Sequence, residues 1–229
     1  MRQIEKYGWI PSLPDARDIK YRVSGPVDLP ASIDLRLKCP PVYNQLQTGS
    51  CTGNAWGAAF QFMLMQIMMV AWAPSRLFIY YCERAFNQNT SRDSGAMLRD
   101  GAKALANFGT CPESTWAFDE NMVTAQPTNE AYIEALNHKI KEYNSLNSDL
   151  YTLKQCLSEG MPFVFGFTVY ESFESDYVAK TGIMPIPLNS ERVVGGHAVM
   201  GVGYDDGKNA FIIRNSWGED WGDGGYFYM

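Results

Sequence analysis

Between Lys38 and Arg76 the chain carries no charged residue, and inside that stretch lies the run AWGAAFQFMLMQIMMVAWA, from Ala55 to the residue before Pro74. No other feature restricts the fold as strongly. A helix apolar on every side cannot lie on a water-facing surface; it either spans a membrane or forms the buried centre of a globular body. Asn54, Gly57, Gln61 and Gln66 break the run, and the remainder of the chain reads as water-soluble, so a buried helix is expected and a membrane partner is not. The chain's 229 residues can bury such a helix in one large domain or two packed lobes without help from disulfides.

The segment leading into the helix is polar and small, NQLQTGSCTGN, and it holds Cys51. A thiol without a task usually sits inside as a small hydrophobe; this one reads as displayed in a loop at a helix N-terminus. Unpaired N–H groups and the positive end of the helix dipole favour an anion there, which lowers the expected pKa of Cys51.

Other chemistries find little support. A net charge of −6 and the lack of any run of five basic residues leave no footprint for nucleic acid. The five cysteines cannot all pair, so at least one thiol is free, while a disulfide among Cys39, Cys82, Cys111 and Cys156 stays open. With no C-x-x-C and only His138 and His197, neither a metal site nor a cofactor is expected. Residues 1–28 mix prolines and charges without a period and read as an extended arm; no apolar signal-peptide core is visible there, and the compartment is unknown.

Past Pro74, SRLFIYYCERA and GAMLRDGAKALANFG have apolar residues at helical spacing, the second capped by Gly109. NEAYIEALNHKIKEYNSL reads as an amphipathic surface helix and TLKQCLSEG as a short one. From Met161 the runs MPFVFGFTVY, GGHAVMGVGYDD, NAFIIRNSW and GGYFYM are β-branched and aromatic, separated by glycine-rich turns, which is antiparallel sheet. The expected fold is α+β in two lobes, mainly helical over about 29–130 and β-rich over about 150–229, with a cleft between them.

Thiol catalysis needs a thiolate, a histidine to carry protons, a group to orient it and donors for an oxyanion. His138 lies among lysines and glutamates and reads as a solvated helix position. His197 follows two glycines at the start of an apolar strand; a structural strand histidine and a catalytic base fit it equally well. Asn215 ends an apolar strand beside Trp217, where its amide oxygen can hold an imidazole while the indole excludes water. Gln45 lies close enough before Cys51 to fold its amide back beside the thiol, with the Cys51 N–H as second donor.

These blocks together, QLQTGSC, GGHAVMGVGY and NSWGEDWGDGGY, resemble the papain-like cysteine peptidases. The resemblance runs from about Leu29, where LPASIDLR is similar to a mature start, to the C-terminus; GSCTGNA, DSGAMLRDG and GTCPESTWAF are closer to prokaryotic, cathepsin-like members than to secreted plant and lysosomal ones. Two positions depart from it: Thr48 stands where many relatives have cysteine, so one familiar disulfide cannot form, and Thr52 stands where an aromatic follows the nucleophile.

The resemblance implies the papain-like two-lobed fold and a thioester mechanism at Cys51, His197 and Asn215, with Gln45 in the oxyanion hole and Trp217 covering the His–Asn bond. It places Gly49, Ser50 and Gly95 along a bound peptide, and Met97, Gly166 and Ala198 around the main specificity pocket. Small Gly166 and Ala198 suggest a bulky hydrophobic residue second before the cut. No histidine-bearing insert caps the cleft, which suggests endopeptidase action on peptide or protein substrates by a monomer. A full inhibitory propeptide of this family is longer than 28 residues. The arm is therefore expected to lie against the body and cover part of the cleft, since Tyr7, Trp9, Ile10 and Ile19 need burial. Transamidation on the same Cys–His pair and a non-catalytic binding protein are the alternatives.

Overall fold

Helix α1 spans Cys51–Met68 in the structure, a computed structural model that describes residues 6–22, 25, 28–68 and 72–229. It starts at the cysteine itself rather than at Ala55. The Asn54 N–H donates to the Ser50 carbonyl at 3.0 Å and the Asn54 side-chain amide to the same oxygen at 2.9 Å, so polar residues close the first turn before any apolar period begins. The helix is buried through Phe62 apart from half-buried Trp56 and Ala59, then emerges; Ile67 is 72% exposed. Part of the apolar run, residues 69–71, lies outside the described residues. No described helix is long and apolar enough to cross a membrane.

Helices α2 (Arg76–Ala85) and α3 (Leu98–Asn107) pack beside α1, and α4 (Asn129–Ala135) packs against α2 and α3. Serine and threonine caps fix the starts of α2 and α4: Ser75 Oγ accepts from the Phe78 N–H at 3.1 Å, and Thr128 Oγ1 from the Ala131 N–H at 3.2 Å. Phe78, Cys82, Ala104, Cys111, Ala131 and Ala135 form their shared core.

The long surface helix expected over 129–146 is not there. α4 stops at Ala135 because the following chain bonds elsewhere, the Ile140 N–H reaching the Leu105 carbonyl at 3.3 Å. His138 is accordingly not a solvated helix position; it is half-buried, with its ring 4.8 Å from that of Trp72.

α5 (Leu150–Ser158), capped by Asp149, leads into the sheet. Strands β1 (Ser32–Asp34), β2 (Phe163–Tyr170), β3 (Val193–Asp205), β4 (Ala210–Arg214) and β5 (Tyr226–Tyr228) are all antiparallel to their neighbours. β3 is the spine, with β2 and β1 in succession along one edge and β4, then β5, on the other. β1 lies within the mainly helical 29–130 and pairs with β3 in the sheet. Phe62 and Ala58 of α1 meet Phe163, Met200, Val202 and Ile212 in the core between helix and sheet. All five cysteines are free.

Candidate active site

The register of the sheet and the start of α1 bring the expected residues to one place. β2–β3 pairing sets Gly166 opposite Ala198 and Phe167 opposite His197. β3–β4 pairing sets Met200 opposite Arg214, so Asn215 follows at the strand end close to His197. The loop before α1 is laced to the loop after β4: the Gln45 N–H donates to the Ser216 carbonyl at 2.8 Å and the Gly218 N–H to the Tyr43 carbonyl at 2.9 Å. That lacing joins the helical side to the sheet side. Cys51, Ala55 and Ala198 then share one buried cluster, placing the sulfur beside the residue that follows His197.

His197 Nε2 and Asn215 Oδ1 are 2.8 Å apart. The same oxygen accepts from the Ser216 N–H at 2.8 Å, which fixes it as an acceptor; Nε2 therefore carries the proton and Nδ1 is the basic nitrogen. Nδ1 has no hydrogen-bond partner among the described residues. Trp217 lies along the imidazole at 5.1 Å and 30°, and Phe167 meets it edge-on at 5.9 Å.

Gln45 is buried and doubly held. Its Nε2 donates to the Thr48 carbonyl at 2.8 Å and its Oε1 accepts from Ser216 Oγ at 2.6 Å. No hydrogen bond joins its side chain to Cys51. Thr48 Oγ1 in turn donates to the Gln45 carbonyl at 2.7 Å and accepts from Ser50 Oγ at 2.6 Å. A threonine at position 48 thus ties down the loop by hydrogen bonds in place of a disulfide. The Gly49 N–H donates to Asp93 Oδ2 at 2.8 Å.

The thiol is not displayed. Cys51 and His197 are both 0% exposed. Burial pushes the Cys51 thiol up to about 12, outweighing the backbone hydrogen bonds from Ala198, Gly8 and Thr52 that favour the thiolate. Burial also lowers His197 to about 4, against the opposing bond to Asn215. With the arm in place, burial disfavours the charged form of both groups.

The cause of that burial is the N-terminal arm. The Trp9 N–H donates to the Gly196 carbonyl at 2.9 Å and the Ile10 N–H to the Ala96 carbonyl at 2.9 Å, while the Gly8 carbonyl accepts from the Ala96 N–H at 2.8 Å. The Trp9 indole lies on Gly166, where a Cβ would stand 2.0 Å from its Cε2, and against Cys51, Ala55 and Ala198. A Cβ on Gly8 itself would stand 1.6 Å from the Gly49 carbonyl oxygen, so only glycine passes there. Tyr7 sets its ring 5.8 Å from that of His197, and its hydroxyl donates to Glu174 Oε1 at 2.6 Å. Ile10 and Ile19, expected to need burial, are 39% and 67% exposed.

Gly95, at φ +76°, receives the arm so closely that a Cβ would be 2.3 Å from the Gly8 oxygen. Met97 lines a cavity of about 170 Å3 with Ile10, Arg84, Gly95 and Ala96, and Leu98 packs with Trp9 against the Cys51 cluster. Leu98, Val164 and Gly196 were not anticipated around the indole, nor Ser216 as the clamp on Gln45. A glycine set between two aromatics at Tyr7–Trp9 was the available signal for a close backbone approach.

Comparison with known proteins agrees with this architecture. The family model described as papain family cysteine protease matches residues 29–229. An uncharacterised peptidase C1-like protein of Acanthamoeba polyphaga mimivirus is 36% identical over 250 aligned positions, covering 97% of this chain and 80% of that protein. A cathepsin B-like protein of Giardia intestinalis is 34% identical over 151 positions, 60% of this chain and 49% of its own length. Among solved structures, xylellain, a cysteine protease from Xylella fastidiosa, superposes with a TM-score of 0.90 at 40% identity, covering all of this chain and 91% of that one. The chain is a member of the papain family of cysteine proteases, a hydrolase with the papain-like α+β fold.

Proposed function

We propose that Cys51 is the nucleophile, His197 the proton carrier, Asn215 the group that orients it, and Gln45 with the Cys51 N–H the oxyanion hole, in a latent endopeptidase. The observation that carries this reading is the 2.8 Å His197–Asn215 bond, in a tautomer that leaves Nδ1 basic, beside the cysteine heading α1. Proton transfer from Cys51 to Nδ1 gives a thiolate that attacks the peptide carbonyl. His197 protonates the departing amine, and water attacks the thioester with His197 as base. Ser216 holds Gln45 where its second amide hydrogen can meet the oxyanion.

Residues 6–10 are the inhibitory element in this reading. At the sulfur the arm presents the Gly8 N–H, while the Gly8 carbonyl is turned to Ala96. The Trp9 indole on Gly166 marks the pocket for the residue second before the cut and supports a large aromatic or aliphatic side chain there. The test is hydrolysis of fluorogenic peptides by the full chain and by a chain starting near Leu29. The shorter chain is expected to cleave faster and to prefer bulky hydrophobic P2 residues. Equal rates would remove the arm's role, and a charged P2 preference would remove the pocket assignment.

A further inference from the structure

Beneath the nucleophile lies an acid that the mechanism does not use. Glu83, on α2, is 0% exposed. Its Oε2 is bonded to the Thr52 hydroxyl at 2.5 Å, and Thr52 directly follows Cys51 in the first turn of α1. Its Oε1 has no hydrogen-bond partner among the described residues and sits against α3, where a Cβ on Gly101 would be 2.4 Å from it. A buried carboxylate with one oxygen unmatched is costly, whereas the neutral acid needs fewer partners.

The charges around it do not neutralise it. On α2, Arg84 spends its guanidinium on the carbonyls of Tyr80, Thr90, Arg92 and Val123 and stacks over the Tyr80 ring. Cys82, next to it on α2, is a buried thiol. From α3 comes Asp100, a like charge, which is itself 3.5 Å from Lys103 and 2.8 Å from the Asn87 amide. From α1 come only Thr52 and the Cys51 sulfur. No ion pair to Glu83 occurs among the described residues.

We infer that Glu83 is a positioning residue for Cys51: as a neutral acid it fixes Thr52 and the first turn of α1, and on losing its proton it opposes the thiolate. The inference rests on the reading of Cys51 as nucleophile. Burial, eased in part by the Thr52 bond, raises Glu83 to about 8. Below that pH the acid is neutral and leaves the thiolate undisturbed. Above it, a negative charge appears under the sulfur, which disfavours charge separation between Cys51 and His197.

Two measurements on the full-length Trp9→Ala chain, in which the arm no longer covers the sulfur, test this. The first is the pH profile of Cys51 alkylation by iodoacetamide; the second is infrared absorption of the carboxylic-acid carbonyl. With Glu83 intact, this chain is expected to lose rate severalfold through an inflection near pH 8, and an acid band present at pH 7 should fade over the same range. Glu83→Gln should abolish both the inflection and the band. Thr52→Val removes the one bond that favours the carboxylate and should move the inflection to higher pH. An inflection unchanged in Glu83→Gln, or in Thr52→Val if the first variant does not fold, overturns the inference while leaving the nucleophile in place. A Cys51 that stays inert at every pH with the arm released overturns the nucleophile reading and this inference together.

Discussion

Ser216 Oγ donates to Gln45 Oε1 at 2.6 Å, while the Ser216 N–H donates to Asn215 Oδ1 at 2.8 Å. One residue therefore sets the orientation of both the proposed oxyanion donor and the proposed imidazole holder. Ser216→Ala leaves the buried Gln45 oxygen without its partner, at a cost of about 1–3 kcal/mol. The expected outcome is a fall in kcat of roughly tenfold or more with little change in KM, read by steady-state peptide hydrolysis. A change confined to KM would argue that Gln45 acts in binding instead.

Trp9→Ala should release the arm. Burying an aromatic side chain contributes about 1.5–3 kcal/mol, and about 1.4 kcal/mol is tenfold in an equilibrium. The full-length variant is expected to hydrolyse peptide at least tenfold faster than wild type. Tyr7→Phe, which removes the hydroxyl bonded to Glu174, should give a smaller rise in the same assay.

Acid should also loosen the arm. In the closed molecule His197 is lowered from 6.5 to about 4 by burial. Opening returns it to water, so the open form binds the extra proton between those values. For a base with a depressed pKa, the stability of the closed form is full above 6.5 and declines as pH falls towards 4, by on the order of 3 kcal/mol at most. The rate ratio of the shortened chain to the full chain should shrink from pH 7 to pH 4.5; a constant ratio would mean that His197 is not what the arm desolvates.

Gly166→Ala tests the pocket. The added Cβ would fall 2.0 Å from Trp9 Cε2, displacing the indole. The full-length variant should be more active than wild type on small P2 residues and weaker on phenylalanine at P2, in a paired-substrate assay. Equal effects on both substrates would place the P2 side chain elsewhere.

Much of this was legible from residue pattern. β2 to β5 follow from short β-branched and aromatic runs between glycine-rich turns, and the proposed roles of Cys51, His197 and Asn215 from the chemistry each requires. Other parts depended on tertiary contacts that no local pattern carries. α4 ends at Ala135 although the apolar spacing continues, because the Leu105 carbonyl and the Trp72 ring compete for the next residues. β1 joined the sheet from within a helical stretch, since three residues carry too little period to be seen. The direction of the Cys51 shift was misread because a helix N-terminus favours a thiolate only while water or a partner reaches it, and Gly8 and Trp9 exclude water here.

The central claim is that Cys51 becomes a thiolate only through His197. Labelling with an epoxide that reacts with papain-like thiolates, followed by mass mapping, tests it most directly on the chain lacking residues 1–28. The account predicts a single adduct at Cys51, lost in His197→Ala. Adducts spread over Cys39, Cys82, Cys111 and Cys156, or undiminished labelling without His197, would contradict it.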